Sequence, residues 1–420
     1  MRSIKEIYRI GNGPSSSHTM GPKKAAEIFA DKYPNAAGFQ VTLYGSLAAT
    51  GKGHLTDTAI LSVLNPVAPT KILWEPRIVL PFHPNAMTFI ALDNENKEIG
   101  QWVVYSIGGG TLADETGVIG EESKIIYEMT TMEELLEWCE CTGKNFWEYV
   151  KECEDFEIWD YLGEVWQTMQ EAIERGLQEE GVLPGPTNLR RRAATFNIRA
   201  GGSKENIKSR GLVFSYALAA SEENASGGKI VTAPTCGSCG VLPSVLYHFK
   251  KSRNFSDAKI LRALATAGLF GNVVKTNASI SGAEVGCQGE IGVACAMTAA
   301  AASQLFGGSP AQIEYAAEMA LEHHLGMTCD PVCGLVQIPC IERNAYAAAR
   351  ALDANLFSSF TDGKHRVSFD KVVSVMKETG HDLPSLYKET GEGGLAKNFV
   401  QMGRHPLKLT SECVFKPKKS

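Results

Sequence analysis

The strongest constraint on the fold of this 420-residue chain lies after about residue 205. There, Ala, Gly and other small residues recur at helical spacing in SYALAASEENA (215–225), ILRALATAGLFGNVV (260–274), IGVACAMTAAAASQLF (291–306), IEYAAEMALEHHLGM (313–327) and IERNAYAAARALDA (341–354). A surface helix shows one apolar face. These segments are apolar on most sides, so each belongs inside a bundle where small residues let helices pack closely. The loops between them are crowded with Cys, Ser, Asn and Gly. Polar loops on a buried helical scaffold are the usual way to hold a reaction centre rigid.

The first 115 residues read differently. Short runs with strand character, FQVTLYG (39–45), TKILWEP (70–76), RIVLPF (77–82), MTFIALD (87–93) and QWVVYSIGG (101–109), are separated by Gly, Pro and Asn clusters. They predict a small α/β domain with an antiparallel sheet. A helix is expected to start near Gly21-Pro22, because Pro is tolerated in a first helical turn, and another over 56–64. Residues 131–182 are acidic and amphipathic and read as helices with a solvated face and no site. The turn-rich LPGPTNL (183–189) follows. The expected fold class is therefore α+β: an N-terminal α/β domain (1–155), a helical linker (156–190) and an all-helical domain (191–420).

Composition excludes several classes of function. The net charge is −6 and no Lys/Arg stripe appears, so no nucleic-acid partner is expected. The basic end FKPKKS reads as a solvated terminus. The longest apolar run, Ile291 to Ala302, is short of the roughly 20 residues a membrane span needs. The opening MRSIKEIYRIGNG lacks the apolar core of a secretory signal, so the expected location is cytoplasmic.

Eleven cysteines are many for a chain of this kind. A reducing compartment disfavours disulfides, leaving metal binding, redox work or burial. Cys287, Cys329 and Cys340 stand in three different loops at separations that match no zinc ribbon. Three thiolates can hold a 4Fe-4S cluster and leave one iron free to act as a Lewis acid; buried free thiols are the competing explanation. Cys236 and Cys239 form a C-x-x-C without the βαβ context of a redox motif, and read better as small residues in a tight loop. Cys295 falls in an Ala-rich helix and reads as core, whereas Cys139, Cys141 and Cys153 lie among acidic helices.

GNGPSSSHTMGP (11–22) gathers Ser15, Ser16, Ser17, His18 and Thr19 ahead of a helix start. One serine would suffice as a cap; this many hydroxyls together favour an anion site, such as one for a substrate carboxylate. GSLAATGKGHLTD (45–57) puts His54 in a Gly-rich loop, where an imidazole suits general acid/base work. His83 in FHPNAM has weaker support. YSIGGGTL (105–112) is a glycine turn that fails the dinucleotide fingerprint.

Taken together, GPSSSHTMGP, YGSLAATGKGHLTD, YSIGGG, ENASGGKIVTAPT, NASISGAEVGCQGEIGVAC and GMTCDPVCGLVQIPCIERNA resemble the iron–sulfur L-serine dehydratase family, from about residue 3 to about 400. The resemblance implies an α/β domain followed by an all-helical catalytic domain, with Cys287, Cys329 and Cys340 as ligands of a 4Fe-4S cluster. It implies His54 as the acid/base residue and Ser15–Thr19 as a substrate-contacting loop. It also implies L-serine as substrate, a homodimer, and a first domain similar to regulatory, effector-binding modules. The activity it implies is elimination of water from serine to give pyruvate and ammonia. The alternatives are the same elimination on L-threonine or L-cysteine, a pyridoxal-phosphate dehydratase, for which no well-placed Lys is seen, and a non-enzymatic iron–sulfur sensor. The chain departs from the family at Cys236, where Asn is usual, and at Cys333, where Gly is usual. Gly394-Leu395-Ala396 is followed by KNFVQM without the usual tail cysteine, and Cys413 comes later.

Overall fold

A computed structural model describes residues 1–119 and 124–402. The chain enters β1 (Ile10–Asn12), makes a wide helical turn over Ser16–Met20, and continues into α1 (Gly21–Lys32) with Pro22 in its first turn. Next come β2 (Gly38–Tyr44), α2 (Gly45–Thr50), α3 (Thr56–Leu64), β3 (Thr70–Glu75), β4 (Ala86–Leu92), β5 (Glu98–Ser106), β6 (Leu112–Asp114) and β7 (Gly117–Val118). Strands β2–β7 form one sheet in the order β3-β2-β4-β5-β6-β7.

The sheet is mixed rather than antiparallel throughout. β2 and β3 run parallel, with Phe39 opposite Thr70, and the other neighbours are antiparallel. The cause is the crossover: α2 and α3 return the chain to the end of the sheet where β2 began. The strand expected over 77–82 does not form. Pro81 lacks an N–H for a ladder, and Val79 and Phe82 are 61% and 53% exposed, so nothing covers that segment as a strand would require. The sheet's core is centred on Phe29 of α1, whose ring meets Phe39, Phe89 and Trp102.

The remaining elements are α4 (Met132–Thr142), α5 (Phe146–Cys153), α6 (Ile158–Gln178), α7 (Ala193–Gly201), α8 (Glu205–Ala225), β8 (Lys229–Val231), α9 (Val241–Arg253), α10 (Asp257–Asn277), α11 (Gly282–Val285), α12 (Val293–Leu305), α13 (Pro310–Glu322), α14 (Cys340–Ser359), α15 (Phe369–Asp382) and α16 (Gly394–Met402). α12 is the centre of the bundle. Every residue of it except Gln304 is buried, against α9, α10, α13 and α14. Its Ala content explains this position: short side chains admit neighbours on all sides.

Core membership divides the chain differently from the expected boundaries at 155 and 190. Leu135, Phe146, Val150, Leu162, Trp166, Met169 and Ile173 of the acidic helices lie in the helical core. So do Met1, Ile4, Ile7 and Tyr8, and Tyr8 donates to the Leu264 carbonyl at 2.8 Å. β1 pairs antiparallel with β8. The amphipathic pattern predicts helices there correctly, but not which body they pack on. Among the described residues no helix is long and apolar enough to cross a membrane.

Candidate active site

Cys287 follows α11, Cys329 follows α13, and Cys340 is the first residue of α14. Backbone contacts fix the first two: Cys287 N–H donates to Met327 O at 3.0 Å, and Cys329 N–H to Tyr387 O at 2.8 Å. Gly286, at φ +76°, permits this packing, since a Cβ there would lie 2.7 Å from the Met327 carbonyl. The Cys329 thiol donates to the Cys287 sulfur. This bond, followed by the nearby Arg343 guanidinium, lowers the Cys287 thiol to about 6. Cys329 is correspondingly pushed well up, first by that bond and then by burial. Cys340 is raised by burial and then by the charge of Cys287. Arg343, one turn along α14 from Cys340, interacts with all three sulfurs and donates to Thr328 O at 2.7 Å. Glu290 lies within 4.8 Å of the Cys287 and Cys329 sulfurs. Burial, then the Cys287 charge, raises its carboxyl to about 8.

The serine loop and the His54 loop meet beside this cluster. Ser15 Oγ accepts from His18 N–H at 3.0 Å and caps the helical turn. Ser17 Oγ lies 2.9 Å from His18 Nδ1, and Ser46 Oγ 3.0 Å from His18 Nε2. Thr19 Oγ1 donates to His54 O, and Thr56 Oγ1 to His18 O, each at 2.6 Å. Ser15–Thr19 and His54 are all buried, and the two imidazoles stand edge to face with ring centres 4.5 Å apart. Burial lowers His54 to about 3, and burial with the neighbouring His54 lowers His18, so both rings are neutral.

Proton counting fixes the tautomer of His54. A hydroxyl has one proton to give. With the Thr50 Oγ1 proton on Ser46 O, 3.1 Å away, and the hydroxyl accepting from His54 Nδ1 at 3.2 Å, both contacts are satisfied at once, which assigns the tautomer. Nδ1 therefore carries the hydrogen, and Nε2 is a bare lone pair, buried and without a partner among the described residues. The same reasoning applies to Ser46, which donates to Glu389 O at 2.9 Å and so accepts from His18 Nε2.

Glu389 joins the two halves of the site and was not foreseen from the sequence. Its N–H donates to Cys329 O at 2.8 Å, and its Oε1 lies 3.5 Å from His18 Nδ1. Its backbone is left-handed, at φ +59°. Burial, followed by the charge of Glu290, pushes its carboxyl well up. Nothing in KETGEGGLA marks this glutamate, because its role depends on partners far away in the chain. Asn224 was legible only as part of the ENASGG motif. Its Nδ2 donates to Pro14 O at 2.8 Å and holds the serine loop in place. Gly53 packs so closely on Gly334 that a Cβ would lie 2.5 Å from its carbonyl.

The other candidates border this joint or lie beyond it: Cys236 feels the Glu290 charge, His83 acts on His18, and the Cys333 carbonyl packs on Gly53. His83 is buried, accepts from Asn85 N–H at 3.0 Å and stands 3.9 Å from Glu284. Cys236 and Cys239 are buried in a small core with Ala172 and Ile230, as two small residues in a tight loop. Cys295 donates to Ala347 O inside the bundle. Cys139 is buried, Cys153 half-buried and Cys141 exposed. Cys333 is exposed at φ +57°, a conformation in which glycine carries no steric cost. Cys413 lies outside the described residues.

Two family models match the chain: the serine dehydratase beta chain over residues 3–72 and the serine dehydratase alpha chain over residues 90–396. An L-serine dehydratase of Streptomyces coelicolor is 41% identical over 452 aligned positions, covering 95% of this chain and 99% of its own. L-serine dehydratase TdcG of Escherichia coli is 41% identical, covering 95% and 100%. The L-serine dehydratase of Haemophilus influenzae is 40% identical, with 95% and 100% covered.

Proposed function

From the premise that this chain belongs to the L-serine dehydratase family of lyases, we propose that it eliminates water from L-serine, giving pyruvate and ammonia, with a 4Fe-4S cluster held by Cys287, Cys329 and Cys340. The observation that carries the reading is that Glu389 ties two buried groups together: its N–H donates to the Cys329 carbonyl, and its carboxyl lies within 4.8 Å of His18 and of His54, whose Nε2 has no partner among the described residues. The donor set fits such a group. Cys287 and Cys329 stand together with Glu290, Cys340 lies near enough for the Cys287 charge to act on it, and Arg343 offsets the negative charge that gathers there. When bound, a cluster with three cysteine ligands supplies a Lewis-acidic iron that polarises the serine hydroxyl.

The chain's own residues do the rest. The turn Ser16–Met20 opens the helix that continues as α1, and its hydroxyls and positive dipole end favour the substrate carboxylate. His54 Nε2 takes the α-proton. Its pKa of about 3 belongs to the substrate-free site, and an adjacent carboxylate raises it. Thr50 holds the ring in the tautomer that leaves Nε2 bare. As His54 removes the proton and the hydroxyl departs, serine becomes aminoacrylate, which hydrolyses to pyruvate and ammonia. Ten free cysteines among the described residues suit a reducing cytoplasm, where we place the enzyme. The family resemblance supports a homodimer.

The test is anaerobic purification, followed by iron and sulfide content and a pyruvate assay on L-serine before and after exposure to air. Roughly four irons per chain with air-sensitive pyruvate formation is the expected result for a cluster of this type. Serine turnover without iron would overturn the cofactor. Iron without serine turnover would overturn the substrate, and 2-oxobutyrate or sulfide release would then identify L-threonine or L-cysteine.

A further inference from the structure

The reading above gives partners to the carboxylate and the hydroxyl of serine and leaves its ammonium without one. Resting on that reading, we propose that Glu389 is the specificity residue that binds the α-ammonium group of the substrate.

Three observations point to it. The first is placement: Glu389 stands where the two halves of the site join, with its N–H on Cys329 O, its carbonyl on Ser46 Oγ and its Oε1 3.5 Å from His18. The second is an open acceptor. Oε2 is buried without a hydrogen-bond partner among the described residues, and a carboxyl facing an ammonium takes its charged form, which has room for several donors. The other carboxylate of the joint, Glu290, is already engaged with Thr235. The third is strain. Glu389 is a non-glycine residue at φ +59°, a conformation that persists where surrounding structure fixes it. Here both backbone groups of Glu389 are tied down, which holds its carboxyl beside His18 and His54. The ligand atoms of His18, His54 and Glu389 lie within 4.8 Å of one another, so a group held by Glu389 is within reach of the base.

A carboxylate in this position selects α-amino acids over α-hydroxy acids. The experiment compares L-serine with L-glycerate, which keeps the carboxylate and β-hydroxyl and replaces the ammonium by a neutral hydroxyl. Holoenzyme is purified anaerobically as wild type, Glu389→Gln and Glu389→Asp. KM for L-serine and the inhibition constant for L-glycerate are measured, with the visible absorption of the cluster as a check on integrity. Loss of one charge-assisted contact predicts that Glu389→Gln raises the serine KM by about 10- to 100-fold. The glycerate constant should move less than about threefold on the same grounds, and Glu389→Asp should restore part of the loss. An unchanged serine KM, or equal losses for serine and glycerate, overturns the proposal, since equal loss is what a structural role produces. Should Glu389→Gln lose its absorption, the same comparison is read on Glu389→Asp: selective loss of serine supports the proposal and equal loss overturns it. Absence of serine turnover in the wild type would instead sink the underlying function.

Discussion

The donor count at Thr50 decides what His54 can do. Because the Thr50 proton goes to Ser46 O, the His54 hydrogen sits on Nδ1, and the nitrogen left free is the one with no partner among the described residues. An exposed loop histidine would be partly protonated near pH 6.5, whereas burial keeps this ring neutral. Removing it should therefore cost turnover without disturbing the cysteines, which lie on other segments. His54→Ala is expected to lower kcat by about 100- to 10,000-fold, the range for loss of one general base, with the visible absorption intact. Wild-type-like turnover in that variant would remove His54 from the mechanism.

At the scale of the element, the small residues of the bundle are not interchangeable. Gly163 and Gly176 occupy the same helix, α6. A Cβ at Gly163 meets nothing within 4 Å, whereas one at Gly176 would overlap the Ala219 carbonyl of α8. Gly163→Ala should stabilise the protein by about 1 kcal/mol through helix propensity alone. Gly176→Ala has the same propensity gain but forces α6 and α8 apart, and should destabilise by about 1–3 kcal/mol net. Urea unfolding of the two variants separates these contributions. A shift in the same direction for both would show that the α6–α8 contact is softer than the geometry implies.

For the whole molecule, the site is shared between the sheet unit and the helical body, and the ties between them are distributed. β1 pairs with β8, and Lys275 holds Glu6 at 2.5 Å and Thr111 at 3.1 Å. Gly53 packs on Gly334, and Ser46 donates to Glu389 O. With Met1, Ile4, Ile7 and Tyr8 in the helical core, the sheet unit cannot leave without disturbing it. We expect one calorimetric transition, with calorimetric and van't Hoff enthalpies in agreement. Two resolved transitions would show that the units unfold independently.

The sequence alone determined whatever depends on neighbours a few residues apart. Small residues at helical spacing specify the buried bundle, Pro22 marks the start of α1, and TDTAILSVL forms α3 over the expected residues. The motif resemblance singled out Cys287, Cys329, Cys340, His54 and Ser15–Thr19, whereas spacing by itself favoured plain buried thiols over a metal site. Tertiary structure decided the rest. The apolar run 77–82 has strand character, but a strand needs a partner and a cover, and neither is present. Helices α4–α6 are visible from their period, yet their apolar faces fit the helical core and not the sheet. Glu389 carries no local signal, because its partner Ser46 is 343 residues away. Local patterning is written in the order of residues; which surfaces meet is decided by shape, burial and the satisfaction of each polar group, and these exist only once the chain has folded.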